Sequence, residues 1–288
     1  MSDKVYFLEG GIGKNIAATA VISRLGREEP VSVVSSWAEV FVNNPCVKEL
    51  HAFHMDLYKA LKGKNIVKLD AYTISDYREG KIPLYKAYFE CAGLDYEGEW
   101  PQLFFTEEEV EWARKYTSEV QRPLFLFQPF GASTQIGATG GFQVRSLKKE
   151  HAQEIANILS EHGTVWVLRN LQQPHLEGVK HPDLDLRRSL ILCNVADGFV
   201  GIDSWLCHAA GALKKPGFFV FMSTPPEAVS YPLHHNYQER GKCPLHPCNR
   251  PWAGVPDRFV CPFGRACEDI NLNDLRDQLL KYIQEVVP

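Results

Sequence analysis

The stretch from Val195 to Phe221 constrains the fold more than any other part of the sequence. It predicts an apolar strand, Gly198 to Ile202, then a turn and a small-residue helix from Trp205 to Leu213, then a second apolar strand, Phe218 to Met222. The turn residues Asp203 and Ser204 are typical of a helix N-terminus, and Pro216 ends the helix. A strand, helix and strand in this order indicate a parallel sheet, and the exposed N–H groups at the helix start favour a diphosphate there.

Residues 196–216 read ADGFVGIDSWLCHAAGALKKP and resemble the C-terminal signature of glycosyltransferase family 9. The acidic-hydroxyl pair, His208 four residues after Ser204 and the closing Lys-Pro fall at the offsets of that signature. The resemblance implies an α/β protein of GT-B fold, with two Rossmann-like domains whose parallel sheets face a central cleft. An ordinary Rossmann-type crossover with His208 as a satisfied core histidine is the competing interpretation.

Length and composition are compatible with two such domains. The chain has 288 residues, 45% of them hydrophobic, and its apolar pattern restarts near Gln121. We therefore predict an acceptor domain over residues 1–121 and a donor domain over 122–288. We expect a cytoplasmic protein without integral membrane association, because no apolar run is long enough to span a bilayer and the start lacks signal-peptide features. The net charge of −4 means that the whole-molecule field does not recruit nucleic acid.

A glycine-rich segment, EGGIGKN at residues 9–15, separates the first predicted strand from a helix expected over Ile16 to Leu25. A P-loop would need Gly at position 8 and Ser or Thr at 15, and a dinucleotide fingerprint would need a small residue at 16. The segment fits the family's first loop, G-x-G-D, except that Lys14 stands where the family has its proposed catalytic Asp. Gly11 and Gly13 are the glycines of this acceptor-side loop. An ammonium group cannot accept a proton unless its pKa is strongly lowered.

Another carboxylate must then supply the catalytic base. Glu9, Asp70 and Asp76 follow predicted strands of the same domain, and ligands gather at the carboxyl ends of parallel strands. We favour Asp70 over Glu9, and we expect Lys14 beside either one to lower its pKa and keep it ionised. The alternative for each acid is a solvated loop carboxylate.

The donor side is predicted from the second half of the chain. Its first strand, Leu124 to Phe127, leads into QPFGAST, which is similar to the family's PGAS turn, and Arg145 stands where the family places a lysine for the diphosphate. A guanidinium can bind two phosphate oxygens, although a surface arginine is the simpler interpretation. We assign Asp203 to sugar or ribose hydroxyls, because a carboxylate repels phosphate. The predicted donor-binding residues are Gly131, Ser133, Arg145, Asp203, Ser204 and His208.

Four cysteines cluster near the end of the chain, at positions Cys243, Cys248, Cys261 and Cys267. They are candidate ligands of a structural zinc, although their spacing is looser than the usual C-x2-C. The alternative is four ordinary cysteines. A terminal helix is expected from Asn271 to Val287, capped by Asn273.

The resemblance thus implies a glycosyltransferase that moves a sugar from a nucleotide sugar to a hydroxyl of a saccharide or lipopolysaccharide-type glycan. The resemblance implies inversion, and we expect catalysis that requires no cofactor or divalent ion. One alternative acceptor is a modified base in DNA, since a basic segment, Lys59 to Lys68, lies in the acceptor domain. A non-catalytic nucleotide-sugar-binding module is the third interpretation, because the loop Asp is missing.

Overall fold

The first half of the chain forms a four-stranded parallel sheet. The structure, a computed structural model, describes residues 4–53, 57, 61–131, 145–241, 243–244 and 266–286. The strands β1 (Lys4–Leu8), β2 (Val31–Ser35), β3 (Val47–Ala52) and β4 (Asn65–Lys68) lie in the order β3-β2-β1-β4. Because β4 pairs with β1, with Phe7 opposite Lys68, the loops that follow these two strands leave the sheet side by side.

The second half forms a five-stranded sheet, which is also parallel throughout. Its strands are β5 (Leu124–Gln128), β6 (Thr164–Val167), β7 (Gly198–Ile202), β8 (Phe218–Phe221) and β9 (His235–Gln238), in the order β6-β5-β7-β8-β9. The central strands β5 and β7 are buried on both faces, as parallel strands covered by helices are. The predicted α/β class with two parallel sheets is confirmed.

Helices connect these strands or pack on their faces. They are α1 (Ile12–Leu25), α2 (Ser75–Arg78), α3 (Leu84–Cys91), α4 (Glu107–Tyr116), α5 (Lys149–Ser160), α6 (Leu186–Val195), α7 (Trp205–Ala212), α8 (Pro226–Val229) and α9 (Leu272–Val286). Short 3-10 turns occupy Ala38–Val40, Ala71–Thr73 and Ala266–Glu268. Among the described residues, none of these helices combines the length and hydropathy that crossing a membrane requires.

Two local predictions differ from the structure, and one strand was not predicted. Helix α1 begins at Ile12 rather than Ile16, because the glycine segment itself enters the helix after Gly11. The side chain of Asn271, not that of Asn273, accepts the backbone N–H groups at the start of α9. The strand β9 was not predicted, because its four residues, HNYQ, carry little apolar pattern; Tyr237 alone is buried.

The two halves pack directly against each other through α1 and α7. Both helices carry small residues at the contact, and no side chain fits at Gly211, where a Cβ atom would lie 2.5 Å from Cδ2 of Tyr231. Trp100 from the first half donates its indole N–H to the carbonyl of Gly211 at 2.6 Å. The ring of Tyr85 stacks on that of Tyr231 at 5.4 Å. Buried residues of both sheets therefore join in one core.

A second contact between the halves is made by Arg187 of α6. Its guanidinium donates to both carboxylate oxygens of Glu109 at 2.7 Å, and to the carbonyls of Phe104 and Glu39 at 2.7 and 3.1 Å. Glu109 also forms a capping box with Thr106 at the start of α4. The Glu109 carboxylate thus caps the N-terminus of α4 and binds Arg187 of α6, which explains why α4 packs on α6.

Candidate active site

The glycine segment after β1 is shaped by its own backbone and by Asn15. Gly10 has a φ of +101°, a conformation that favours glycine, and Gly11 leads into α1 without a side-chain cap. Asn15 is fully buried, donates to the carbonyl of Gly11 at 3.0 Å and accepts from Ser35 at 2.8 Å. Asn15 thus stabilises the loop. This structural role accounts for an asparagine at a position where neither a P-loop nor a dinucleotide fingerprint would have one.

Lys14, in the first turn of α1, lies against Asp70, which follows β4. The Nζ atom of Lys14 is 3.1 Å from Oδ1 of Asp70, and the same oxygen accepts from the backbone N–H of Tyr72 at 3.2 Å. Lys14 is 8% exposed and Asp70 23%. Burial raises the pKa of Asp70, but the hydrogen bond and charge of Lys14 outweigh it, so that the pKa lies below its ordinary value. Asp70 is therefore ionised at neutral pH.

The other two candidate carboxylates do not contact Lys14. Glu9 pairs with Lys68 at 2.5 Å and is 42% exposed. Asp76 lies in α2, pairs with Lys81 at 3.4 Å and is half exposed. The described contacts thus bring Asp70 alone of the three acids to the lysine of the glycine loop.

Tyr72 connects this pair to the second half of the chain. Its ring has Lys14 Nζ 3.6 Å from the centroid, and the ring of Tyr77 stacks on it at 5.5 Å. Burial raises the pKa of Tyr72, while the nearby charges of Arg145 and Asp203 act on it in opposite directions. The Tyr72 side chain therefore lies within electrostatic reach of the predicted donor residues.

Asp203 and Arg145 form the charged pair of the second half. Arg145 Nη1 is 3.5 Å from Oδ2 of Asp203, and Asp203 is buried, with 5% of its surface exposed. The Oδ2 atom makes no hydrogen bond within the part of the chain that the structure describes. Ser204 is the N-cap residue of α7, as predicted, but its side chain makes no capping hydrogen bond.

The side chain of Gln128 caps α7 instead. Its Oε1 accepts from the backbone N–H of Leu206 at 3.1 Å, and the N–H of Cys207 already donates to the carbonyl of Ser204. Two N–H groups of the α7 N-terminus are therefore bonded within the protein. Gln128 ends β5 next to the donor turn, a position that the strand-end rule could have identified.

Gly13 and His208 bring the glycine loop and α7 into contact. A Cβ atom at Gly13 would lie 2.5 Å from Cδ2 of His208, so the reason for this glycine is the imidazole of the other half. His208 is buried and shares a 3.0 Å hydrogen bond between its Nδ1 and the hydroxyl of Tyr231. Burial lowers the pKa of His208 to about 4, an effect that Asp203 opposes. The imidazole is therefore neutral at pH 7. No local sequence pattern identified Tyr231 or Tyr72 as residues of the candidate site.

The remaining predicted site residues are Gly131, Ser133 and the four tail cysteines, and the structure describes only some of them. The N–H of Gly131 donates to Ser146 Oγ at 3.0 Å, and its carbonyl accepts from Gln173 at 2.8 Å. Ser133, with the glycine-rich loop over residues 137–141, lies outside the described residues, as do Cys248 and Cys261. Within the described parts of the chain, His, Cys, Asp and Glu side chains form no group of three or more that could hold a metal ion. The zinc site remains a prediction.

The fold is similar to that of solved GT-B glycosyltransferases, and the similarity extends over nearly the whole chain. The Escherichia coli ADP-heptose lipopolysaccharide heptosyltransferase II is 13% identical, with a TM-score of 0.67 over 98% of this chain and 99% of that one. A family 9 glycosyl transferase from Veillonella parvula is 10% identical, with a TM-score of 0.68 over 99% and 98%. The dodecameric iron-containing heptosyltransferase TibC, in complex with ADP-D-β-D-heptose, is 13% identical, with a TM-score of 0.67 over 100% and 78%.

These matches confirm the predicted resemblance to family 9 at the level of the fold. No family model matches the sequence, and a search of curated proteins finds no match. The similarity is therefore one of structure at 10–13% identity.

Proposed function

We propose that this protein is a glycosyltransferase that moves a sugar from a nucleoside-diphosphate sugar to an acceptor hydroxyl. The carrying observation is the arrangement of two charged pairs, Lys14 with Asp70 and Arg145 with Asp203, about Tyr72 where loops of both halves meet. The full-length fold similarity to heptosyltransferases supports this reaction class. In this proposal residues 1–121 bind the acceptor and 122–288 the donor, across a cleft between the two sheets.

Asp70 is the proposed general base. The acceptor hydroxyl gives its proton to the Asp70 carboxylate while its oxygen forms a bond to the anomeric carbon, and the bond from that carbon to the diphosphate oxygen breaks. The electron pair of that bond leaves with the nucleoside diphosphate, and attack from the opposite face inverts the anomeric configuration. Lys14 holds Asp70 ionised and in place, which an aspartate at position 14 could not do.

Arg145 and the N-terminus of α7 are proposed to stabilise the leaving diphosphate. Negative charge grows on it in the transition state, and each well-placed donor contributes about 3–4 kcal/mol. Asp203 is proposed to accept from sugar hydroxyls, because its buried Oδ2 has no hydrogen-bond donor among the described residues. Catalysis without a divalent ion remains a prediction from the sequence.

The donor and acceptor classes are proposed from the structural neighbours. TibC is in complex with ADP-D-β-D-heptose, so ADP-heptose heads the donor panel, followed by other ADP-, UDP- and GDP-sugars. The proposed acceptor is a saccharide or lipopolysaccharide-type glycan. Oligonucleotides with hydroxymethylated bases form the second acceptor arm, which tests the DNA interpretation.

The test compares Asp70→Asn with Glu9→Gln. Asparagine keeps an oxygen for Lys14 and for the N–H of Tyr72 but cannot take a proton, so we expect turnover to fall by about 10²- to 10⁴-fold with donor affinity nearly unchanged. Glu9→Gln is the matched control, because Glu9 makes its ion pair with Lys68 instead.

Three outcomes contradict parts of the proposal. Equal turnover in wild type and Asp70→Asn would remove Asp70 from the reaction. A large loss in Glu9→Gln alone would assign the base to Glu9. Donor binding without turnover on any acceptor would favour the non-catalytic module.

A further inference from the structure

We propose that Gln128 is a donor-binding residue, whose side-chain amide caps α7 with its oxygen and donates from its nitrogen to a phosphoryl oxygen of the nucleoside diphosphate. This inference rests on the proposed function and adds a residue to its donor site. Gln128 ends β5, the strand that pairs with β7 in the middle of the second sheet. It lies opposite Gly201, two residues before Asp203.

The orientation of the Gln128 amide is fixed by chemistry. The N–H of Leu206 can donate only to an oxygen, so the atom 3.1 Å from it is Oε1 and the other terminal atom is the NH2 group. Only 6% of the residue is exposed. A side chain this buried normally has all its polar atoms bonded.

The Nε2 atom of Gln128 has no hydrogen-bond partner in the described part of the protein. The atom is also not fully shielded from solvent, and it therefore keeps part of its surface accessible. Nearby, Oδ2 of Asp203 is an acceptor to which no described residue donates a hydrogen bond.

A donor and an acceptor in one region that do not bond to each other indicate a ligand that bonds to both. A sugar diphosphate supplies this pattern, because a phosphoryl oxygen accepts from Nε2 while a sugar hydroxyl donates to Asp203. The N–H of Leu206 already donates to Gln128 and so cannot bind a phosphate, and the NH2 group of Gln128 can donate to the phosphate in its place. At the N-terminus of α7, a side-chain NH2 group thus replaces one backbone N–H as the hydrogen-bond donor to the ligand.

The isosteric variant Gln128→Glu separates the two roles of the side chain. Glutamate keeps an oxygen for the N–H of Leu206 at the positive end of a helix, so we expect thermal stability to be kept. It replaces the NH2 group by an oxygen, so we expect ADP and ADP-heptose to bind at least about tenfold more weakly by calorimetry. Adenosine, which has no phosphate, is expected to bind the two proteins equally.

The matched charge control is Gln172→Glu, which adds the same charge at an exposed position of the same half. Titrations at low and high salt complete the control, because a long-range repulsion is screened by salt and a lost hydrogen bond is not. We expect Gln172→Glu to bind ADP like the wild type, and the defect of Gln128→Glu to persist at high salt.

Unchanged ADP affinity in a folded Gln128→Glu variant would overturn this inference alone, as would a defect that Gln172→Glu shares or that salt abolishes. If Gln128→Glu does not fold, Gln128→Met serves the same comparison, and ADP affinity equal to that of the wild type overturns the inference. A wild-type protein that binds no nucleoside diphosphate would overturn the proposed function together with the inference.

Discussion

Replacing Gly13 by alanine should destabilise the contact between the glycine loop and α7. The new Cβ atom would lie 2.5 Å from Cδ2 of His208, about 1 Å closer than an ordinary contact between carbon atoms. The imidazole cannot move aside freely, because it is buried and bonded to Tyr231. Overpacking of this kind costs about 1–3 kcal/mol, and a strained hydrogen bond adds about 1. The helix preference for alanine returns up to about 1 kcal/mol, so we expect a net loss of about 2.

Urea unfolding of four proteins measures this contact: wild type, Gly13→Ala, His208→Ala and the double variant. With the imidazole removed, the methyl group added at position 13 has room, and Gly13→Ala should then cost nothing or stabilise slightly. The expected coupling free energy between the two positions is about 2 kcal/mol. Gly11→Ala is the matched control, because its Cβ atom meets nothing within 4 Å and its φ of −71° suits alanine.

Two results would refute this reasoning. One is a Gly13→Ala variant that unfolds at the same urea concentration as the wild type. The other is additivity, in which Gly13→Ala costs as much without the imidazole as with it. Either would mean that the glycine loop and His208 are not in contact in solution, and the link between the two halves at the candidate site would be lost.

Two further predictions concern the contact of Arg187 with Glu109 between the two halves, and the four tail cysteines. Arg187→Lys should lower the free energy of unfolding by about 2–4 kcal/mol, because lysine cannot bond both oxygens of Glu109 and two carbonyls. The hydrogen bond from Arg187 lowers the pKa of Glu109, against burial, so the pair's stabilisation is complete above the ordinary value of 4.5 and is lost as the pH falls below it. Chemical unfolding along a pH series should therefore show a smaller acid loss in Arg187→Lys, and parallel curves would contradict this. If the four tail cysteines bind zinc, the purified protein carries about one equivalent and a chelator lowers its melting temperature; metal analysis that finds none, with all four thiols titrating freely, would exclude the site.

Local signals predicted the elements that local residues determine. Strand β7 has the predicted bounds, and α7 begins at the predicted Trp205 directly after its N-cap residue Ser204. In each case the hydrophobic period and the capping residue lie within a dozen positions of each other, and the same physics acts in sequence and structure. The start of α1 was missed because a glycine segment reads as a loop, although Gly13 and Lys14 are helical.

The contacts of the candidate site depend on topology instead. Gln128 reaches Leu206 because β5 and β7 are neighbours in the sheet, and His208 reaches Gly13 because α1 packs on α7. These residue pairs are 78 and 195 positions apart in the sequence. No spacing rule connects positions that far apart, so the residue types could be proposed from the sequence but their partners could not.

The pair of Lys14 and Asp70 shows how strand order supplies an acid that the glycine loop lacks. Because β4 lies beside β1 in register, residue 70 leaves the sheet next to residue 9, and α1 then turns Lys14 back over the end of β4. An aspartate at position 14 would instead put a second negative charge on the side of Asp70, and neighbouring carboxylates raise each other's pKa. A lysine there has the opposite effect and keeps Asp70 ionised. Position 14 and position 70 therefore act as one unit, so the reversed pair, Lys14→Asp with Asp70→Lys, should retain more of the fold's stability than Lys14→Asp alone.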